Sequence, residues 1–229
     1  MITLALLNGG LGKRVGSDMP KQLIRLQGVP IFIYSLRIAD EIDEISSVVI
    51  NFPAGWKDKI KSIIDKYAIR TPIAYVEAGI TRQDSVRKIL KAVKTSKILI
   101  HEAARPFVCA DDFKSLINLP DNNITYTLPI SYTVLQGDPE KKHINALLDR
   151  SLLLNIQLPQ KFNTAELRKA HEKAYKENLF YTEDASIVFA NGGSVTYIKG
   201  DEGNFKITNQ IDIKRAEIIM QADTSGTLS

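Results

Sequence analysis

The chain is poor in the residues that build covalent frameworks and metal cages. It holds one cysteine, Cys109, so no internal disulfide can form, and a lone, partly buried thiol fits a reducing compartment. Its three histidines, His101, His143 and His171, fall at no metal-ligand spacing, and no Ser-His-Asp or Cys-His arrangement emerges from the order of residues. No apolar run approaches the ~20 residues of a membrane span. The apolar start has no basic segment ahead of it, so a secretory signal is not expected and the chain is read as cytoplasmic. Long blocks of like charge are missing too. The formal net charge is +4 with scattered basic residues, which argues against nucleic acid and membranes and for a small anionic substrate.

What is present begins with the run Ile2-Thr3-Leu4-Ala5-Leu6-Leu7, suited to a buried strand of a parallel sheet. Asn8-Gly9-Gly10-Leu11-Gly12-Lys13-Arg14 follows at once, and Lys21 comes shortly after. Glycines without a Cβ let backbone N–H groups approach an oxyanion, and Arg14 and Lys21 add two cations. The loop has neither the P-loop spacing G-x-x-x-x-G-K-[ST] nor the dinucleotide fingerprint G-x-G-x-x-G. It reads as a polyphosphate seat of another kind.

Alternating patterns follow. Strands are expected over Ile45–Phe52, Pro72–Val76 and Thr95–Ile100. Helices are expected from Val29-Pro30 to about Ile42, along the Trp56, Ile60, Ile63, Ile64, Tyr67 stripe, and after the cap Thr81 with Val86, Ile89, Leu90 and Val93 buried. This rhythm predicts an α/β fold: a doubly wound, mostly parallel sheet with ligands beyond the carboxyl ends of its strands. Beyond Asp111 a helix, 112–118, precedes a strand, 124–130. Residues 131–160 then read as a projecting β-hairpin arm turning at Gly137-Asp138-Pro139, too thin to stand alone and so expected to pack on a second subunit. A helix over 165–177, a turn at Tyr181–Asp184, a strand at 194–198 and a last helix from Asp212 complete one domain over 1–229.

Glu102, at the end of a strand beside the phosphate seat, suits Mg²⁺, which takes oxygen ligands from one or two carboxylates and from phosphate; a salt bridge to Arg105 is the plainer reading. Asp184 is a second candidate carboxylate, with support of the turn at Tyr181–Asp184 as the alternative, and Lys206 stands at what reads as a strand end able to reach the same edge.

Taken together, Gly9-Gly10-Leu11-Gly12-Lys13-Arg14, Pro20-Lys21-Gln22, Gly79 with Arg82-Gln83-Asp84-Ser85-Val86, His101-Glu102-Ala103-Ala104-Arg105-Pro106, Asp149-Arg150, Pro159-Gln160-Lys161-Phe162, Thr182-Glu183-Asp184-Ala185 and Asn204-Phe205-Lys206-Ile207-Thr208 resemble the cytidylyltransferase family of the methylerythritol-phosphate and ribitol-5-phosphate enzymes, over nearly the whole chain. The resemblance implies in-line attack of an acceptor phosphate on the α-phosphorus of CTP, releasing pyrophosphate. It implies that Arg14, Lys21 and Lys206 are catalytic. It places Asn8, Gly9, Gly10, Gly12, Gly79, Arg82, Ser85, Ala103 and Arg105 on the nucleotide, and Mg²⁺ on Glu102. It gives the acceptor to Thr133, Arg150 and Thr182, with the arm crossing to the partner of a homodimer. Glu102 stands where the family usually has aspartate, Asn8 where alanine is common, Leu158 for a threonine, and Tyr132 where the isoprenoid enzymes place aspartate. The last two departures, with Gly55-Trp56 and Arg105-Pro106-Phe107, point to an alditol phosphate acceptor, ribitol or glycerol phosphate, and a CDP-alditol for cell-wall or capsule polymers. The alternatives are methylerythritol phosphate and, in another class, a noncatalytic nucleotide-binding regulator.

Overall fold

The computed structural model describes residues 1–10 and 19–225, so Gly12 and Arg14 of the expected site lie outside the described residues. In chain order the elements are β1 (Ile2–Leu7), β2 (Arg25–Leu26), β3 (Val29–Pro30), α1 (Ile31–Asp40), β4 (Ile45–Phe52), α2 (Lys57–Asp65), β5 (Ile73–Glu77), α3 (Arg82–Ala92), β6 (Lys97–Glu102), α4 (Ala110–Asn118), β7 (Ile124–Pro129), β8 (Val134–Asp138), β9 (His143–Leu148), β10 (Leu154–Asn163), α5 (Thr164–Lys176), α6 (Asp184–Ala190), β11 (Thr196–Lys199) and α7 (Gln210–Ser225).

Seven strands form one sheet in the order β11-β7-β10-β6-β1-β4-β5. All neighbours run parallel except β10, which is antiparallel to both β6 and β7. Strand β1 sits inside this sheet and is apolar on both sides. Leu4 and Leu6 face the core beneath α1, α2 and α4, where Phe32, Ile60 and Phe113 are packed. Ala5 faces the opposite core beneath α3, α5 and α6, with Ile89, Leu167 and Val188. Helices on both faces bear out the doubly wound reading. Beyond the main sheet, α7 packs through Ala216 and Ile213 on Leu26 and Ile207.

Three local expectations are corrected. The helix expected from Val29-Pro30 begins at Ile31 with Pro30 as its N-cap, because Val29 and Pro30 first pair antiparallel with Arg25-Leu26. The proline ring fixes φ near the helical value but removes the N–H donor, so the residue suits a helix entrance better than an interior. The projecting hairpin is shorter than expected: β8 and β9 pair only with each other. Residues 154–160 instead enter β10, the antiparallel strand of the main sheet. That strand alternates poorly because both its faces are buried. Cys109 is exposed at the N-cap of α4, not partly buried.

Candidate active site

The carboxyl ends of β1, β5 and β6 open into one cavity of about 460 Å³, lined by Leu7, Gly9, Gly10, Lys21, Gln22, Asn51, Gly79, Ile80, Thr81, Arg82, Ser85, Glu102, Ala104, Lys206 and Thr208. Its size is within the range of small-ligand sites. Gly9 lies so close to β4 that a Cβ on it would come within 2.5 Å of the Ala78 Cβ and 2.7 Å of Asn51 Nδ2. Asn51 in turn accepts from the Asn8 amide, and Gln22 donates to the Asn8 carbonyl. The loop backbone is therefore pinned by two carboxamides while Asn8 itself is buried beneath the cavity.

Across the cavity, Thr81 caps α3 by accepting from the Asp84 amide. Ser85 Oγ donates to the Thr81 carbonyl and accepts from the Gly79 amide, both at 2.9 Å. A Cβ on Gly79 would collide with the Asp84 carboxylate, so only glycine fits this turn.

The charges form a connected set. Lys206 Nζ lies 2.9 Å from Glu102 Oε1 and 2.8 Å from Oε2. Arg82 and Arg105 stand behind the same carboxylate at 3.6 and 3.7 Å. Burial pushes the Glu102 pKa up, but Lys206, Arg82 and Arg105 outweigh it and hold it at about 2. Arg82 also reaches Glu183 at 3.1 Å and the fully buried Asp184 at 2.8 Å. Its guanidinium is thus committed to three carboxylates. Burial raises Glu183 to about 7; Arg82 pulls it down while Asp184 and Glu102 push it further up. Lys21 Nζ donates to the Ile207 carbonyl, which brings the second lysine to the Lys206 loop.

A second cavity, about 390 Å³, adjoins the first and shares Lys206 with it. Arg105, Ser131, Tyr132, Asn155, Glu202 and Arg215 are among its walls. Lys206 is in a loop, not at a strand end as expected. Arg105 Nη1 holds the Asn204 carbonyl at 2.7 Å and so fixes the start of that loop.

Of the residues expected from sequence, Gly9, Gly10, Lys21, Gly79, Arg82, Ser85, Glu102 and Lys206 meet in the first cavity. Ala103 is fully buried and its neighbour Ala104 forms the wall instead; Arg105 belongs to the second cavity. Thr133, Arg150 and Thr182 are exposed and line neither cavity of their own chain. Asn51 and Arg215 join the walls without a motif that singles them out, and Thr208, the last residue of the Asn204–Thr208 motif, joins those of the first cavity without having been given a role. The signal for Asn51 is a polar residue near the carboxyl end of its strand, directly after the apolar run Val48-Val49-Ile50.

Leu158, expected near the acceptor, has 1% exposure and packs among the residues beneath α3, α5 and α6, ahead of a cis bond to Pro159. The departure from threonine is a core substitution and says nothing about the acceptor. Tyr132 is 84% exposed, at the rim of the second cavity, where substitution disturbs little packing. Leu158 therefore does not bear on the acceptor, and Tyr132, which does line the second cavity, does not by itself select an alditol phosphate.

Comparison with known proteins overturns that reading. The sequence model of the 2-C-methyl-D-erythritol 4-phosphate cytidylyltransferase family matches residues 2–222. The enzyme of that name from Geobacillus thermodenitrificans is 33% identical over 93% of this chain and 94% of its own. That from Dictyoglomus thermophilum is 36% identical over 92% of this chain and 93% of its own. The crystal structure of the Thermus thermophilus enzyme superimposes with a TM-score of 0.77 at 26% identity, covering 96% of this chain and 100% of that one. A 4-diphosphocytidyl-2C-methyl-D-erythritol synthase from Anaerococcus prevotii, at 24% identity and a TM-score of 0.84, shares the fold over 96% of both chains. Capsule and cell-wall polymers find no support among these relatives. The chain belongs to the 2-C-methyl-D-erythritol 4-phosphate cytidylyltransferase family.

Proposed function

We propose that this enzyme transfers the cytidylyl group of CTP to 2-C-methyl-D-erythritol 4-phosphate, releasing pyrophosphate. The observation that carries the reading is Lys206. Among the described residues it is the cation common to two adjoining cavities, one walled by glycine turns and the other by Arg105 and Arg215. A triphosphate in the first and a phosphomonoester in the second would meet at this ammonium.

The acceptor's phosphate oxygen attacks the α-phosphorus in line, and the bond to the β-phosphate oxygen breaks. Negative charge accumulates on the α-phosphate oxygens, so stabilisation comes from fixed cations and from positioning. Lys21 and Lys206 supply two such cations, and the family resemblance adds Arg14. The Gly9-Gly10 backbone receives the phosphates. Gly79 and Ser85 hold the base against backbone, where a larger side chain would not fit.

No group of three or more His, Cys, Asp and Glu side chains among the described residues could cage a metal. Glu102, one hard carboxylate at the cavity wall, fits the other kind of Mg²⁺ site, in which substrate phosphates supply the remaining ligands. Bound there, the ion would neutralise charge on the triphosphate.

The acceptor side is completed by a second copy of the chain. The arm and its base expose Leu135, Ile144, Leu147 and Leu152, apolar residues that a two-stranded ribbon cannot bury by itself. Arg150 and Thr133 on that arm would serve the neighbour's second cavity. Pyrophosphate release with CTP and Mg²⁺ tests the reading. Turnover with 2-C-methyl-D-erythritol 4-phosphate is expected; turnover only with another polyol phosphate would overturn it.

A further inference from the structure

His171 is fully buried on α5 and lines neither cavity, yet it ends a continuous line of polar contacts that reaches the reacting lysine. Its Nε2 lies 2.8 Å from Asp184 Oδ1. The other Asp184 oxygen lies 2.8 Å from Arg82 Nη1. Arg82 Nε faces Glu102 at 3.6 Å, and Glu102 holds Lys206. Asp184 is ionised: burial disfavours its charge, but Arg82 and His171 hold its pKa at about 2. Nε2 of His171 therefore carries the hydrogen and donates it.

The line crosses five separate segments: α5, the start of α6, the start of α3, the end of β6 and the loop that carries Lys206. Nothing in local chain geometry fixes their side chains relative to one another. Arg82 has three carboxylates competing for it, and the His171 hydrogen bond is what orients the deepest of them. Remove that bond and Asp184 can rotate, Arg82 can settle on Glu183, and Glu102 is left to Lys206 and Arg105 alone.

We propose that His171 is a positioning residue of the cytidylyl-transfer site, fixing Asp184, through it Arg82, and so the orientation of Glu102 that places Lys206 between the two cavities. This rests on the function proposed above for that site. A residue that merely fills the core would change stability without changing how Lys206 works, and the two roles separate in a double-mutant cycle.

The cycle combines His171→Leu with Lys206→Ala, measuring kcat for cytidylyl transfer and, independently of any acceptor, CTP affinity by calorimetry. In the wild-type background His171→Leu is expected to lower kcat about tenfold or more, the order of a lost hydrogen bond to a charged group. In the Lys206→Ala background the same change is expected to cost less than about twofold, since residues acting as one unit are non-additive. His171→Gln, whose amide reaches the Nε2 position, should restore most of the rate; His171→Asn, which is too short, should not. If His171→Leu fails to fold, the Gln and Asn variants decide by the same contrast. Equal costs of removing His171 with and without Lys206, in both readouts, would overturn the proposal. A wild-type enzyme inactive on 2-C-methyl-D-erythritol 4-phosphate would instead overturn the acceptor reading and leave the calorimetric cycle to decide this one.

Discussion

Lys206 and Glu102 form a two-point ion pair across 104 residues of chain, with the ammonium 2.9 and 2.8 Å from the two carboxylate oxygens. The pair sits where the two cavities adjoin. An incoming triphosphate offers the ammonium a second set of anionic oxygens, so Glu102 holds the lysine in place before substrate arrives and competes with substrate afterwards.

Lys206→Ala and Lys21→Ala should each lower kcat by about 10²-fold or more, the usual cost of removing one fixed group that stabilises developing charge. The melting temperature of Lys21→Ala should stay near the wild-type value, whereas that of Lys206→Ala should fall, because the change takes the chief compensating cation from the buried Glu102 carboxylate. Steady-state pyrophosphate release and thermal melts check this together. A kcat within a few-fold of wild type for either variant would remove that lysine from the chemistry.

Gly79→Ala should act on the nucleotide. The added Cβ would strike the Asp84 carboxylate, which accepts from the Ile80 amide and pairs with Arg87. Relieving the clash moves the turn that holds Ser85. The expected outcome is a CTP KM raised about tenfold with a stability loss of about 1–3 kcal/mol, typical of overpacking. An unchanged KM would mean the turn does not touch the base.

The fold was legible in the sequence where period and burial agree. The α2 stripe from Trp56 to Tyr67 and the α3 face of Val86, Ile89 and Leu90 are both packed as their spacing predicts. Strand β10 was not legible: Ile156 to Phe162 includes Gln157, Gln160 and Lys161, polar residues that look solvated in sequence. Each is buried with its own partner, and Lys161 Nζ donates to the Leu119 carbonyl. Long-range satisfaction of buried polar groups leaves no local pattern. The same reason hid the site's charge network. Glu102 reads as the partner of Arg105 three residues on, whereas the contacts from Lys206 and Arg82 come from elsewhere in the chain.

The network should impose a pH dependence on stability through Glu183. Its carboxyl has an ordinary value of 4.5 and is raised to about 7, chiefly by burial. The folded state then retains a proton that the unfolded chain releases between these values. That contribution is fully present below pH 4.5 and is lost as pH rises through 7. Glu183→Gln lacks the titrating group. The variant should therefore gain on wild type as pH rises from 5 to 8, by about 1–3 kcal/mol in unfolding free energy. Melts of both proteins across this range check the sign; a difference that shrinks with rising pH would mean Arg82 stabilises the ionised form after all.

Arg150 supplies the decisive test of the shared site. Its Nη1 donates to the Ser131 carbonyl at the arm's base, and it lines neither cavity of its own chain. Arg150→Ala and Lys206→Ala should each be nearly inactive as homodimers. Mixed by unfolding and refolding at equal concentration, half of the dimers carry one subunit of each kind. In such a dimer the site on the Arg150→Ala subunit keeps its own Lys206 and receives an intact Arg150 from the partner; the other site lacks both. One site in two works, so about a quarter of wild-type activity should return. If Arg150 served its own subunit instead, every site in the mixed dimer would lack one of the two residues, and mixing would recover nothing. Activity that returns on mixing therefore establishes that the arm crosses, whereas inactivity of the mixture, with dimers confirmed by light scattering, places Arg150 in its own chain's site.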